Sequence, residues 1–226
     1  MPTVMITGAN RGIGFELARR YAADGWRVLA TCRDPAKADG LEAFAGDVHI
    51  HRLDVTDFAR VDALAGELEG EAIDVLINNA GISDMPKERV EGVDYDRWAE
   101  VLRVNTMAPF KISDAFAGHV AQSETRIIVA ITSRMGSIEM NPGGDYAYRS
   151  SKAALNLVMK GLAGDLRPHG ITVVVLHPGW VKTDMGGQGA AIEVDESADG
   201  LYAVIAGLGP ADSGRFFNYD GSELPW

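Results

Sequence analysis

Pro2-Thr3-Val4-Met5-Ile6-Thr7-Gly8-Ala9-Asn10-Arg11-Gly12-Ile13-Gly14 is a short apolar run followed at once by three spaced glycines. A helical pattern, Gly14–Asp24, comes directly after it. Glycines in such a turn let the backbone approach a pyrophosphate closely. The helix start adds free N–H groups and the positive end of its dipole. As a spacing alone, the three glycines also suit an ordinary tight strand-to-helix turn. Their place directly after the first apolar run points to a dinucleotide site, with Gly8, Asn10, Arg11, Gly12, Ile13 and Gly14 lining it.

Further runs of the same kind follow: Arg27–Thr31, Val48–Leu53, Val75–Asn78, Ile127–Thr132 and Thr172–Leu176. They are rich in Val, Ile and Leu without polar alternation, which predicts strands buried on both faces. Between them lie amphipathic stretches at Phe58–Glu69, Tyr95–Gln122, Ala147–Leu166 and Glu196–Leu208. Strand and helix in alternation predict an α/β fold, a doubly wound Rossmann arrangement on a mostly parallel sheet. Arg215–Asn218 supplies a seventh strand. No repeat or interdomain linker interrupts the pattern, so one domain over residues 1–226 is expected. Gly186–Ala191 reads as the most flexible stretch and Ser137–Asp145 as irregular.

The net charge of -11 argues against a nucleic-acid partner, which needs a basic footprint. Cys32 is the only cysteine, so no disulfide within the chain is possible. No signal peptide or bilayer-length apolar stretch is evident, and a cytoplasmic protein without membrane contact is expected. The five histidines show no metal-ligand spacing, and no metal is expected.

Tyr148 and Lys152 stand four residues apart on a predicted helix and share a face. A phenol is a poor acid–base group near neutrality, and a nearby ammonium favours its ionised form. Tyr146 has Ser150 rather than a lysine at the same spacing. Ser133 follows the predicted strand Ile127–Thr132, beyond its carboxyl end, where open parallel sheets bind ligands. It lacks the Gly-x-Ser-x-Gly elbow of a hydrolase nucleophile. Asn105 lies inside a long helical pattern; either it kinks the helix, or its backbone carbonyl holds a water. Phe216 and Phe217 read as core, and Cys32 as a small strand-end residue. Met135, Met140, Trp180 and Met185 either line an apolar cleft or pack under loops.

Together these residues resemble the short-chain dehydrogenase/reductase family over nearly the whole chain. The likeness rests on Thr7–Gly14, Asp54-Val55, Asn78-Asn79-Ala80-Gly81, Asn105, Ser133, Tyr148-x-x-x-Lys152 and Pro178-Gly179. His177–Met185 and the ending Phe217–Trp226 look like its sniffer-type and C-factor-like carbonyl reductase subgroup. The resemblance implies Tyr148 as acid–base group, Lys152 on the nicotinamide ribose, Ser133 polarising the substrate and Asn105 in a water-mediated proton relay. It implies Asp54 and Val55 near adenine, Asn79 near the adjoining ribose, and Val181 and Thr183 near the carboxamide. Ala80, Gly81, Pro178 and Gly179 complete the implied cofactor site. A homodimer or homotetramer through the helices at Tyr95–Gln122 and Ala147–Leu166 is implied too, although sniffer-type relatives can be monomers. Thr132 and Arg134 depart from the pattern, and Arg134 would bias the site toward polar or acidic substrates.

The predicted second strand ends Thr31-Cys32-Arg33-Asp34. NAD-specific sites place an acid at the strand end to hold the ribose 2′-OH. Cys32 removes that charge, and Arg33 with Arg11 offers guanidinium groups to a 2′-phosphate. NADP(H) is therefore expected over NAD(H). The alternative is that both arginines are merely solvated and Asp34 favours NAD. The expected function is NADP-dependent interconversion of a carbonyl and an alcohol, with a small-molecule substrate. The alternative is a nucleotide-binding regulatory or signalling protein of the C-factor type with little turnover.

Overall fold

The computed structural model describes residues 1–83 and 92–226. Seven strands form one parallel sheet in the order β3-β2-β1-β4-β5-β6-β7. They are β1 (Thr3–Thr7), β2 (Arg27–Cys32), β3 (Val48–Arg52), β4 (Val75–Asn78), β5 (Ile127–Ile131), β6 (Thr172–His177) and β7 (Phe216–Asn218). The doubly wound α/β arrangement is as expected, and every strand pairing is parallel. The strand order reverses between β1 and β4, opening a crevice at their carboxyl ends where such sheets bind ligands.

The helices are α1 (Gly12–Ala23), α2 (Asp39–Glu42), α3 (Phe58–Glu67), α4 (Tyr95–Leu102), α5 (Ala108–Ala121), α6 (Tyr146–Leu166) and α7 (Val194–Gly207). Alternate strand residues divide the core in two. Val4, Ile6, Val28 and Ile77 face Leu17 and Leu201 on one side. Met5, Leu29, Leu76 and Ile128 face Phe116 and Leu155 on the other. Burying each such side chain contributes about 1.5–3 kcal/mol. Phe216 and Phe217 pack into opposite cores, as expected of β7.

Two expectations need correction. β3 is not buried on both faces, because it is the edge strand and several of its residues reach solvent. The helix expected across Tyr95–Gln122 is broken by a π-helical turn at Arg103–Met107, with Asn105 at its centre. Polar Asn105 is wholly buried there, so one widened turn directs its side chain to fixed partners instead of water. Gly186–Ala191 is tied at both ends to the segment before it. Gly186 N donates to Thr183 Oγ1 (3.1 Å), Trp180 Nε1 donates to Gly186 O (2.9 Å), and Ala191 N donates to Trp180 O (3.0 Å).

Candidate active site

The glycine loop leaves β1 and enters α1 with Gly8 and Gly12 at φ of +65° and +56°, a region that favours glycine. No side chain caps the N–H groups of α1, so they remain free for an anion. Asn79, beyond β4, braces the loop from below. Its Nδ2 donates to Thr7 O (2.9 Å) and Gly8 O (3.1 Å). Thr7 Oγ1 accepts in return from Asn79 N (3.0 Å) and Ala80 N (3.1 Å). The Asn79 side chain is thus committed to the loop itself. A Cβ on Gly14 would strike Asn79 Nδ2 and lie 2.5 Å from Gly8 O. Gly14→Ala is expected to cost about 1–3 kcal/mol of stability from overpacking. Denaturant unfolding of the variant beside wild type measures it.

Lys152, Asn105 and Gly81 meet at the same crevice. A Cβ on Gly81 would lie 3.3 Å from Asn105 Oδ1 and 3.7 Å from Lys152 Nζ. Asn105 Nδ2 donates to Ile82 O (2.9 Å) and Ser151 Oγ (3.0 Å), while its Oδ1 accepts from Ile82 N (2.9 Å). Thr106 Oγ1 donates to Ser151 O (2.8 Å), locking the π turn onto α6. The buried stripe of α6 runs through Ala147, Ser151, Lys152, Leu155, Asn156 and Met159, which places the lysine inside the protein. Its Nζ donates to Ile131 O at 2.9 Å and lies 5.9 Å from the centre of the Tyr148 ring. Burial pulls the Lys152 pKa down to about 8.

Part of Tyr148 reaches solvent, but its hydroxyl is deep enough that burial pushes the phenol pKa up. A hydrogen bond with the Ser133 side chain pulls the other way. Burial outweighs that contribution, so the lowering expected beside Lys152 does not appear. The phenol stays protonated at neutral pH and can give a proton. Nearby His177 is pushed down to about 4, chiefly by burial and further by Arg134. It is neutral in the same range.

Ser133 is buried and caps a short turn, its Oγ accepting from Met135 N (3.1 Å). Asn156, one turn beyond Lys152, braces both flanks of that serine. Thr132 Oγ1 donates to Asn156 Oδ1 (2.7 Å), and Asn156 Nδ2 donates to Gly136 O (3.3 Å). Sequence reasoning missed Asn156. The available signal was a polar residue on an otherwise apolar helical stripe.

At the far end of the crevice, Cys32 is buried at the end of β2, and burial pushes its thiol pKa up. Arg33 is exposed beside Asp54. Burial opposes the charge of Asp54, but hydrogen bonds from Thr56 and the charge of Arg33 hold its pKa low. Asp34 pairs with Lys37 (3.4 Å), and Asn10 Nδ2 reaches Lys37 O (3.5 Å). Lys37 is thus a third cation at this end that the sequence reading missed. Arg11 points elsewhere: its Nη1 pairs with Asp184 at 3.0 Å, both side chains being well exposed. Val181 is buried and bridges to Ile192, while a Cβ on Gly12 would lie 3.5 Å from Thr183 Cγ2. Pro178 O accepts from Ser197 Oγ (2.6 Å), and Gly179 packs against Tyr219 and Ile192. The segment from Pro178 to Thr183 therefore forms the bank opposite the glycine loop. Met140, Trp180 and Met185 remain exposed and do not pack as core.

The description "short chain dehydrogenase" matches residues 2–192, and the chain belongs to that family. Among solved structures, the carbonyl reductase Sniffer of D. melanogaster is 36% identical, with 100% of each chain covered and a TM-score of 0.94. An NADPH-bound carbonyl reductase from chicken fatty liver is also 36% identical, with a TM-score of 0.92 over 100% of this chain and 99% of that one. The C-signal of Myxococcus xanthus is 46% identical over 155 residues, covering 68% of this chain and 93% of that protein. The chain is thus an oxidoreductase-family protein with carbonyl reductases as structural neighbours. Among the described residues, no helix is long and apolar enough to cross a membrane.

Proposed function

We propose that this protein is an NADP(H)-dependent carbonyl reductase with Tyr148 as its proton donor. The observation that carries the reading is buried Lys152 one turn from Tyr148 on α6, its Nζ 5.9 Å from the Tyr148 ring centre. The glycine cradle fits a pyrophosphate: the N–H groups at the start of α1 are uncapped, and Gly8 and Gly12 turn the loop at positive φ. A bound nicotinamide would supply the hydride for the carbonyl carbon. Gly8, Asn10, Gly12, Ile13 and Gly14 would hold the pyrophosphate, with Asp54 and Val55 at the adenine. Asn79, Ala80 and Gly81 would line the floor. Pro178, Gly179, Val181 and Thr183 would form the nicotinamide bank.

The remaining steps belong to the chain's own side chains. Ser133 donates a hydrogen bond to the substrate carbonyl oxygen and orients it toward Tyr148. Tyr148 gives that oxygen its proton, leaving a phenolate that the Lys152 ammonium stabilises. Lys152 would also hold the nicotinamide ribose. The Asn105 backbone carbonyl, inside the π turn, would hold a water that returns the proton. Arg33 and Lys37, with no acid at Cys32, favour the 2′-phosphate.

Loss of NADPH absorbance with a panel of diketones, quinones and aldehydes tests the proposal. Turnover supports it. Cofactor binding without turnover across the panel would favour a signalling protein, the reading that the C-signal relative keeps in view.

Burial of Lys152 also sets a pH dependence. Its folded-state pKa of about 8 lies below its ordinary 10.5, so the unfolded chain binds more protons between those values. Stability from this group therefore rises as pH increases through that window. The difference between wild type and Lys152→Met, measured without cofactor by denaturant unfolding at about pH 8 and pH 9.5, is expected to shift toward wild type. A flat difference contradicts the burial of a titrating ammonium.

A further inference from the structure

We infer that Trp226 is a positioning residue for carbonyl reduction, hooking the far end of the serine turn and fixing the substrate wall. The inference rests on the proposed function of the Ser133–Tyr148 site. After β7 the chain doubles back: Phe217 bridges antiparallel to Glu223, and Leu224 N donates to Phe216 O at 2.8 Å. This return carries Trp226 to the segment beyond Ser133. The Trp226 main-chain oxygen accepts from Ile138 N (2.7 Å), Glu139 N (3.2 Å) and Ser137 Oγ (3.2 Å). Three donors from three successive residues converge on one acceptor.

The indole anchors that oxygen. Its ring lies 5.7 Å from the Phe216 ring, and Lys160 Nζ stands 4.4 Å from the indole centre. Phe216 is completely buried, and Lys160 lies two turns beyond Lys152 on α6. The hook is therefore fastened to the sheet and to the catalytic helix at once.

The segment it holds leads straight to the reacting group. Ser137 is buried, and its Oγ also accepts from Met140 N (3.1 Å). Ser137 N donates to Arg134 O (3.1 Å), and Gly136 N donates to Ser133 O (2.8 Å). A Cβ on Gly136 would lie 2.7 Å from the Lys152 carbonyl carbon, so the turn sits directly on α6. Asn156 braces the near end of this turn, and Trp226 the far end. Ile138 and Met140 project from the held segment, 77% and 42% exposed, as apolar surface five and seven residues beyond Ser133. None of these contacts involves the glycine loop. Loss of the hook should therefore affect the carbonyl substrate and spare the cofactor.

The test compares wild type with Trp226→Ala, Trp226→Phe and Ser137→Ala. Trp226→Ala is expected to lower kcat/KM for carbonyls by about tenfold or more, since small misplacements of a reacting pair are costly. KM for bulky apolar carbonyls should rise more than for small ones, with NADPH affinity kept within about twofold. Trp226→Phe, which retains a ring for Phe216 and Lys160, should recover most of the loss. Ser137→Ala, which removes one of the three hydrogen bonds without emptying the core, should show a milder effect of the same kind. Hydrogen exchange at the Ile138 and Glu139 amides, read without substrate, should accelerate in Trp226→Ala. Unchanged exchange, or unchanged kcat/KM in a folded Trp226→Ala, would overturn the hook. Equal losses of NADPH affinity and turnover would overturn it too, as a mere folding defect. If wild type reduces no carbonyl, the reading of the Ser133–Tyr148 site fails instead, and exchange then judges the hook alone.

Discussion

Tyr148→Phe is expected to lower kcat by about 10²–10⁴-fold, the range spanned by positioned general acids. The change removes one oxygen and leaves the ring, so the α6 packing around Ala147 and Ser151 should survive. Burial keeps the phenol protonated, which makes it a donor in the reducing direction. NADPH affinity should hardly move, because the proposed ribose contact belongs to Lys152. Steady-state kinetics and a cofactor titration on the same preparation check both halves. Near-normal turnover in the phenylalanine variant would rule out Tyr148 as the acid.

Cys32→Asp combined with Arg33→Ala is expected to erase or reverse the preference for NADPH over NADH. Each charge-assisted contact contributes about 1.5–3 kcal/mol, roughly a tenfold to hundredfold change in kcat/KM. An aspartate at the end of β2 would accept from a ribose 2′-OH and repel a 2′-phosphate. Asp34 does not already fill that role, since it pairs with Lys37. Arg11 is paired with Asp184, and an exposed pair of this kind contributes little. It can therefore turn toward a phosphate at small cost. Lys37 remains in the double variant, so residual NADPH use should trace to it. Comparing kcat/KM for the two cofactors decides the matter. A wild type that favours NADH, or a double variant that keeps its NADPH preference, would overturn the assignment.

The strands were legible because each is a short Val-, Ile- or Leu-rich run bounded by turn residues, and such runs have few alternatives. β3 was legible as a strand but not as an edge, since strand order depends on pairing between distant segments. The Tyr148–Lys152 pair was legible because four-residue spacing fixes a shared helical face. The break at Arg103–Met107 was only half visible. Asn105 marked a weak point in the helix, but its partners Ile82 and Ser151 lie far away in sequence.

The sequence by itself determined the α/β alternation, the glycine turn at the head of α1, and the residue types available to the site. These follow from periodicity, backbone freedom and side-chain chemistry, all local properties. Only the tertiary structure decided how the groups are used. Burial, not the neighbouring ammonium, sets the protonation of Tyr148; Lys152 reaches Ile131 O; Asn79 braces the glycine loop; Arg11 faces Asp184. Nor does any local pattern show that Trp226 closes on Ser137–Glu139, 89 residues away from Ser137 along the chain. Desolvation and hydrogen-bond partnership depend on which distant segments the sheet brings together, and one-dimensional spacing carries no record of that distance.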